Sequence, residues 1–248
     1  MLLAGATGLV SGAALIGAPV GMLLRRTIVR LRELDQTLTA VRYDAEHDGL
    51  TGLANRTTFY AHAAVAAATN PPGSSMAVAV IDIDDFKQVN DALGHGVGDL
   101  VLHALARRLH KRVGPGGLVA RLGGDEFAAI VPLGEGESPK GLGTALCLVG
   151  ETPADVDLDR VDVVPLTVSV GVAPADGPAD LVELLTRADA AMYRAKRQGL
   201  GVAVYDPAHD AKRATISGAW PELRTRDETT GTIGIADTLV AVNGAVIA

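Results

Sequence analysis

Apolar and polar positions along the chain follow three patterns in turn. Residues 1–24 carry no charge, and a helix of that length, at about 1.5 Å per residue, matches a hydrocarbon layer of ~30 Å. Arg25, Arg26, Arg30 and Arg32 follow while nothing positive precedes, a flank that suits a single-pass anchor with the downstream chain on the cytoplasmic side of the inner membrane. A cleaved signal peptide competes, but it places its positive charge before the apolar run. Gly8 and Gly12, then Gly17 and Gly21, have the small-xxx-small spacing of close helix pairs, and Pro19 sits between them. Over residues 25–47 the step Leu24, Ile28, Leu31, Asp35, Leu38 marks one helical stripe, read equally as a two-stranded coil or as a solvated helical linker.

From about Asp48 to Asp206 apolar strands alternate with helical stretches. Residues 76–81 form an unbroken apolar run, a fully buried strand that ends in Asp82, Asp84 and Asp85. Residues 99–113 carry Leu100, Val101, Leu105 and Leu109 on one side and gather Arg107, Arg108, Lys111 and Arg112 toward the end, where the helix dipole favours cations. Residues 119–122 and 127–131 flank Gly123-Gly124 as the arms of a hairpin. Residues 166–172 predict another strand and 180–197 another amphipathic helix. Between 134 and 159, Pro139, Gly141, Gly143, Gly150 and Pro153 restrict any helix to about 144–149. The order predicts an α/β (α+β) domain of ferredoxin-like, nucleotide-cyclase type, a mixed central sheet flanked by helices, at 48–206. Residues 207–248 form a tail that turns apolar after Gly231 and has no assigned role.

Composition narrows the function. A formal charge of −7 and a pI near 5.3 supply no basic footprint for phosphate backbones, so nucleic acid is excluded as an expected partner. Cys147 is the single cysteine; it rules out an internal disulfide and a cysteine zinc site, and reads as a small buried hydrophobe.

Chemistry concentrates at the predicted hairpin turn. Gly123-Gly124-Asp125-Glu126-Phe127 sets two carboxylates beside a backbone that glycine leaves open to a bulky anion. Taken alone this is an ordinary solvated turn. Asp82, at the end of a second buried strand, changes that reading. Carboxylates from neighbouring strand ends can hold a divalent cation that stays bound to phosphates, the layout of phosphoryl-transfer sites.

Five separated motifs then agree in order and spacing with one family. Asp48-Gly49-Leu50-Thr51-Gly52-Leu53-Ala54-Asn55-Arg56 comes first, and Asp82-Ile83-Asp84-Asp85-Phe86-Lys87 second. Asn90-Asp91 with Gly94-His95-Gly96-Val97-Gly98-Asp99 leads to Arg121-Leu122-Gly123-Gly124-Asp125-Glu126-Phe127, and 167–173 with 188–196 close the set. Over residues 44–206 the chain resembles the GGDEF diguanylate cyclases, which join two GTP molecules into cyclic di-GMP. The resemblance implies a magnesium (or manganese) ion on Asp82, the Ile83 carbonyl and Asp125, with Glu126 beside it as a helper in deprotonating the attacking 3′-hydroxyl. It implies contact of Phe86 and Lys87 with the triphosphate, next to the open Gly123 and Gly124, and of Lys196 from the last helix. It also implies guanine recognition by Asn90 and Asp99, and a homodimer in which each subunit holds one GTP. A carboxylate at Asp99 accepts from the N1–H and exocyclic amine of guanine, donors that adenine lacks in that arrangement.

Three departures bear on this resemblance, one of them the segment 134–159 described above, where the family has a long amphipathic helix. Where the family carries a second triphosphate cation, this chain has Leu200; its loss removes a charge-assisted contact worth about 1.5–3 kcal/mol, for which Arg194 or Arg197 are the candidate substitutes. Where many members carry an Arg-x-x-Asp product site, this chain has Gly114-Pro115-Gly116-Gly117, so feedback through that site is expected to be missing. The alternative to an active cyclase is a catalytically weak GGDEF module that binds GTP as a sensor or interaction domain.

Overall fold

The computed structural model describes the backbone of residues 7–151 and 166–216, and the side chains of Met22, 25–150 and 166–215. The chain divides into two units, 1–47 and 48–248.

The first unit is a helix, α1 (Thr7–Glu46). Among the described residues no helix is long and apolar enough to cross a membrane. The expected anchor over 1–24, the inner-membrane location and the membrane partner are therefore not retained. The described part of α1 carries Arg25, Arg26, Arg30, Arg32, Glu33 and Asp35 in close succession, and each such charge costs about 2.5–3.5 kcal/mol at a bilayer centre. The uncharged run before it is thinned by glycine and by Pro19, which add little transfer energy; residues 1–6 of that run lie outside the described residues. On α1 the exposed apolar side chains include Leu31, Leu34, Leu38 and Val41, each at least 56% accessible. Their 3-4-3 spacing is that of a coiled-coil seam, and it bypasses Asp35, which the stripe expected from sequence had to include.

The second unit is built on a five-stranded mixed sheet in the order β2-β3-β1-β4-β5. Its centre is β1 (Ser75–Ile83), antiparallel both to β3 (Glu126–Pro132) and to β4 (Val168–Asp176). β2 (Leu118–Gly123) pairs antiparallel with β3, while β5 (Val202–Val204) lies parallel to β4 at the far edge. Strand β1 is apolar from Met76 to Ile81 because both its faces are covered there, and alternate residues divide between two cores. Ala77, Ala79, Ile81 and Ile83 meet Val101, Leu105 and Leu109 of α4 (His95–Val113) and Leu142 and Leu146 of α5 (Pro139–Glu151). Met76, Val78 and Val80 meet Phe59 and Ala63 of α2 (Arg56–Ala68) and Leu184, Leu185 and Met192 of α6 (Leu181–Gln198). Helix α3 (Phe86–Leu93) leaves the end of β1 and turns through Gly94 into α4. Helix α7 (Pro207–Ile216) follows β5 and packs on α6; the rest of the tail, 217–248, lies outside the described residues.

Two helices differ from the sequence expectation. Helix α4 begins at His95, four residues before the expected start at 99, so Asp99 stands on its exposed first turns. Helix α5 spans thirteen residues rather than six. Its glycines are spacers, not breaks: a Cβ at Gly143 would lie 2.6 Å from Val202 Cγ1, and one at Gly150 2.6 Å from Val168 Cγ2. Pro139 opens the helix, where a missing N–H costs nothing. Cys147 is buried, and its thiol donates to the Val168 carbonyl at 3.5 Å.

Candidate active site

The register of the sheet settles where the acidic strand ends lie. Asp82 on β1 stands directly opposite Glu126 on β3, and directly opposed residues of an antiparallel pair project from the same face. That face is the one α6 covers, and Lys196 in the last turn of α6 forms an ion pair with Asp82. Asp125 sits in the two-residue turn between Gly123 and Glu126. Its carbonyl accepts a 3.4 Å hydrogen bond from Ile83 N–H, which ties the hairpin to the end of β1. Gly123 (φ 145°) and Gly124 (φ 54°) adopt conformations that side chains resist, and a Cβ on either would meet nothing within 4 Å. The backbone is therefore open at this point.

A clamp that sequence reading missed holds the turn. Arg121 donates from Nε and Nη2 to the Gly124 carbonyl at 3.0 and 2.8 Å, and its Nη1 reaches Asp48 Oδ1 at 3.1 Å. Asp48 also accepts from the Thr51 N–H and hydroxyl at 2.8 and 2.7 Å. Burial works against the Asp48 charge, but the Thr51 hydrogen bonds and Arg121 outweigh it and hold its carboxyl below the usual range. The only sequence signal was that both residues fell inside motifs; nothing in either motif pairs them.

Electrostatics at the strand ends show a shortage of positive charge. Burial is the main reason Asp82 holds its proton more tightly than an ordinary aspartate; Lys196 pulls the other way, and Asp125 and Asp84 add to the rise. Glu126 is also raised, by burial first, then by Asp82, Asp189 and Asp125, against a smaller opposing effect of Arg56. For Lys196 burial opposes the charge, but Asp82, Asp84 and Asp125 together raise its affinity for the proton. Both partners of the pair rise because one ammonium faces several carboxylates. Asp84 in turn accepts from the Ser169 hydroxyl at 2.8 Å.

Among the described residues no ready-made group of three acidic, histidine or cysteine ligands is assembled for a metal. The donors present at the strand ends, the Asp82 and Asp125 carboxylates, are oxygens of the kind that suits a hard divalent cation.

Phe86 and Lys87 open α3 immediately after Asp85, whose φ of 53° is the one positive value among the described non-glycine residues. The Asp85 side chain makes no capping hydrogen bond to α3, while its carbonyl accepts from the Gln88 and Val89 N–H groups at 2.8 and 3.3 Å, so the N–H groups of Phe86 and Lys87 are the ones at this helix start that can meet an anion. Asn90 lies one turn further along α3, and Asp99 on α4. Of the candidate replacements for the missing cation, Arg194 is committed elsewhere. Its Nε and Nη2 reach the buried Asp210 of α7 at 2.7 and 3.0 Å, and Nη2 also donates to the Val204 carbonyl. Arg197 lies over Tyr193, 5.8 Å from its ring centre. Leu200, half exposed, lines with Lys196 and Cys147 a groove of about 850 Å³ between α5, α6 and β5.

The sequence profile described as "Diguanylate cyclase, GGDEF domain" matches residues 45–201, well over half of the chain. The chain belongs to the GGDEF family. Among relatives of this GGDEF chain is diguanylate cyclase DgcM of Escherichia coli strain K12, 38% identical over 181 residues, covering 69% of this chain and 40% of DgcM. Diguanylate cyclase TpbB of Pseudomonas aeruginosa strain PAO1 is 37% identical over 193 residues, covering 74% and 43%. The chain thus spans less than half the length of these two relatives. Among solved structures, the coiled coil and GGDEF domain of DgcB from Caulobacter crescentus in complex with c-di-GMP superimposes with a TM-score of 0.65 at 32% identity, covering 75% of this chain and 98% of that one.

Proposed function

We propose that this GGDEF chain condenses two GTP molecules into cyclic di-GMP, releasing two pyrophosphates. The observation that carries the reading is the pairing of Asp82 with Glu126 across one face of the sheet, beside a glycine turn open to a bulky anion. Asp82, Asp125 and the Ile83 carbonyl would hold a magnesium or manganese ion, which would supply neutralisation of charge on the phosphates. Phe86 and Lys87 receive the β- and γ-phosphates at the start of α3. Lys196 exchanges Asp82 for the triphosphate when nucleotide enters. Glu126, whose proton affinity is already raised, takes the proton of the incoming 3′-hydroxyl. Asn90 and Asp99 read guanine. Leu200, together with the engagement of Arg194 by Asp210, favours a second reading: a module that binds GTP without turning it over. Incubating the full chain with GTP and Mg²⁺ separates them. Cyclic di-GMP with pyrophosphate supports the first, and GTP recovered intact from the complex supports the second.

Each 3′-hydroxyl must reach the α-phosphate held by another copy, so two subunits make one reaction centre. The seam of Leu31, Leu34, Leu38 and Val41 on α1 supports a second copy as its occupant, through a parallel coil. Leu34→Asp combined with Leu38→Asp is expected to move the chain from dimer to monomer in sedimentation velocity and to lower the specific rate at least about tenfold at micromolar protein. An unchanged dimer would remove α1 from the interface.

The loop 114–117 supports the absence of product feedback. Gly114 has φ 70°, where an L side chain is strained although the space is open, and a Cβ at Gly117 would lie 2.5 Å from Val113 Cγ1 and 2.8 Å from the Ile130 carbonyl, so the second charge of the pair has no room. Added cyclic di-GMP is expected to leave the initial rate unchanged; strong non-competitive inhibition contradicts this.

A further inference from the structure

Glycine inside a helix weakens it, so Gly96 and Gly98 in the first turns of α4 each need a reason. For Gly98 the structure supplies one. The helix turns back at Gly94, whose N–H donates to the Asn90 carbonyl at 2.9 Å, and this brings the side chain of Asn90 onto the first turns of α4. A Cβ at Gly98 would stand 1.9 Å from Asn90 Oδ1 and 3.2 Å from Phe86 Cζ. The carboxamide therefore occupies the space that any other residue at 98 would fill. Gly96, one helical step away on the same helix, differs: a Cβ there meets nothing within 4 Å.

We infer that Gly98 is a specificity-determining positioning residue: its missing side chain seats the Asn90 carboxamide beside Asp99, so that the two present one polar edge to a purine base. The inference rests on the proposed reading of Asn90 and Asp99 as guanine contacts. Gly98 touches no substrate and acts through Asn90. The obstacle to a larger residue is the far end of one short side chain, which can rotate away, while the backbone at 98 suits any L-residue. Gly98→Ala therefore leaves the fold intact and displaces chiefly the group that reads the base, the Phe86 ring giving by a few tenths of an ångström. A carboxamide offers both donor and acceptor to a base edge, and its removal leaves polar groups of the ligand unpaired.

The test is equilibrium binding of GTP and of ATP to the full chain with Ca²⁺ in place of Mg²⁺, together with thermal melting, for Gly98→Ala, Gly96→Ala, Asn90→Ala and the Asn90→Ala, Gly98→Ala pair. Gly98→Ala is expected to melt no lower than the parent, to bind GTP about tenfold more weakly, and to bind ATP as before, so that the ratio between the two nucleotides contracts. Gly96→Ala is expected to leave that ratio alone. In the double variant the second change should add nothing to the first, because both remove the same contact. Full GTP selectivity in Gly98→Ala beside a loss in Asn90→Ala overturns the role of Gly98. Selectivity unaffected by Asn90→Ala overturns the guanine reading itself, a different outcome. Equal weakening of GTP and ATP in Gly98→Ala, with a lower melting temperature, marks a purely structural glycine and also overturns the inference.

Discussion

Replacing Asp82 by asparagine is expected to lower the conversion of GTP to cyclic di-GMP by about a thousandfold while leaving the protein at least as stable as before. The rate loss follows from the several kcal/mol that a bound cation contributes to phosphoryl transfer, at about 1.4 kcal/mol per factor of ten. The stability follows from the sign of the shift at Asp82. Its folded carboxyl is held above the ordinary aspartate range, so the stability linked to its proton is present at low pH and is lost as pH rises through the folded value. At neutral pH the ionised group is a net cost even with Lys196 beside it, and the neutral amide removes that cost. Rate assays and thermal melts on the same preparation check both halves. A variant that lost activity because it unfolded would contradict the account, since the carboxylates are placed for ligand at the expense of the fold.

Gly171→Ala should produce the opposite result, a large loss of stability with no change in any ligand-facing group. Gly171 lies on β4 opposite Val80 of β1 and beside Ala203 of β5, where α6 rests on the sheet backbone to backbone. An added Cβ would stand 2.0 Å from the Ala188 carbonyl oxygen and 2.1 Å from Met192 N, neither of which can rotate aside. Relieving it requires lifting α6, a cost of about 3 kcal/mol or more from overpacking, which is roughly 6–12 °C in Tm for a domain of this size. Gly116, where a Cβ meets nothing within 4 Å, is the control: Gly116→Ala should melt with the parent. Differential scanning calorimetry of the two variants decides it, and equal melting temperatures would show that α6 is not seated as described.

These two glycines show why part of the protein was legible in sequence and part was not. The sheet announced itself because β1 is covered on both faces, so its residues read as one apolar run, and the hairpin because the chain needs glycine at its turn. The helix α5 did not. Gly143 and Gly150 look like breaks in composition and are, in space, the points where a helix touches Val202 and Val168; sequence alone cannot tell a glycine that weakens a helix from one that lets it approach. The acidic strand ends were legible because each closes an apolar strand. The Arg121–Asp48 clamp was not, because its partners are 73 residues apart and only the fold brings β2 against the segment before α2. Asp189, which raises the proton affinity of Glu126, reads in sequence as one more polar residue on an amphipathic helix. At the other end, the uncharged run over 1–24 and its arginine flank suggest a membrane span that no described helix supports.

The account depends on a divalent cation shared between the end of β1 and the turn before β3 while nucleotide is bound. Electron paramagnetic resonance of Mn²⁺ measures this directly, on the full chain with a GTP analogue that cannot be turned over. One tightly bound Mn²⁺ per nucleotide site is predicted for the parent, with that population lost in Asp82→Asn and again in Asp125→Asn. A bound-manganese signal that survives both substitutions unchanged would contradict it.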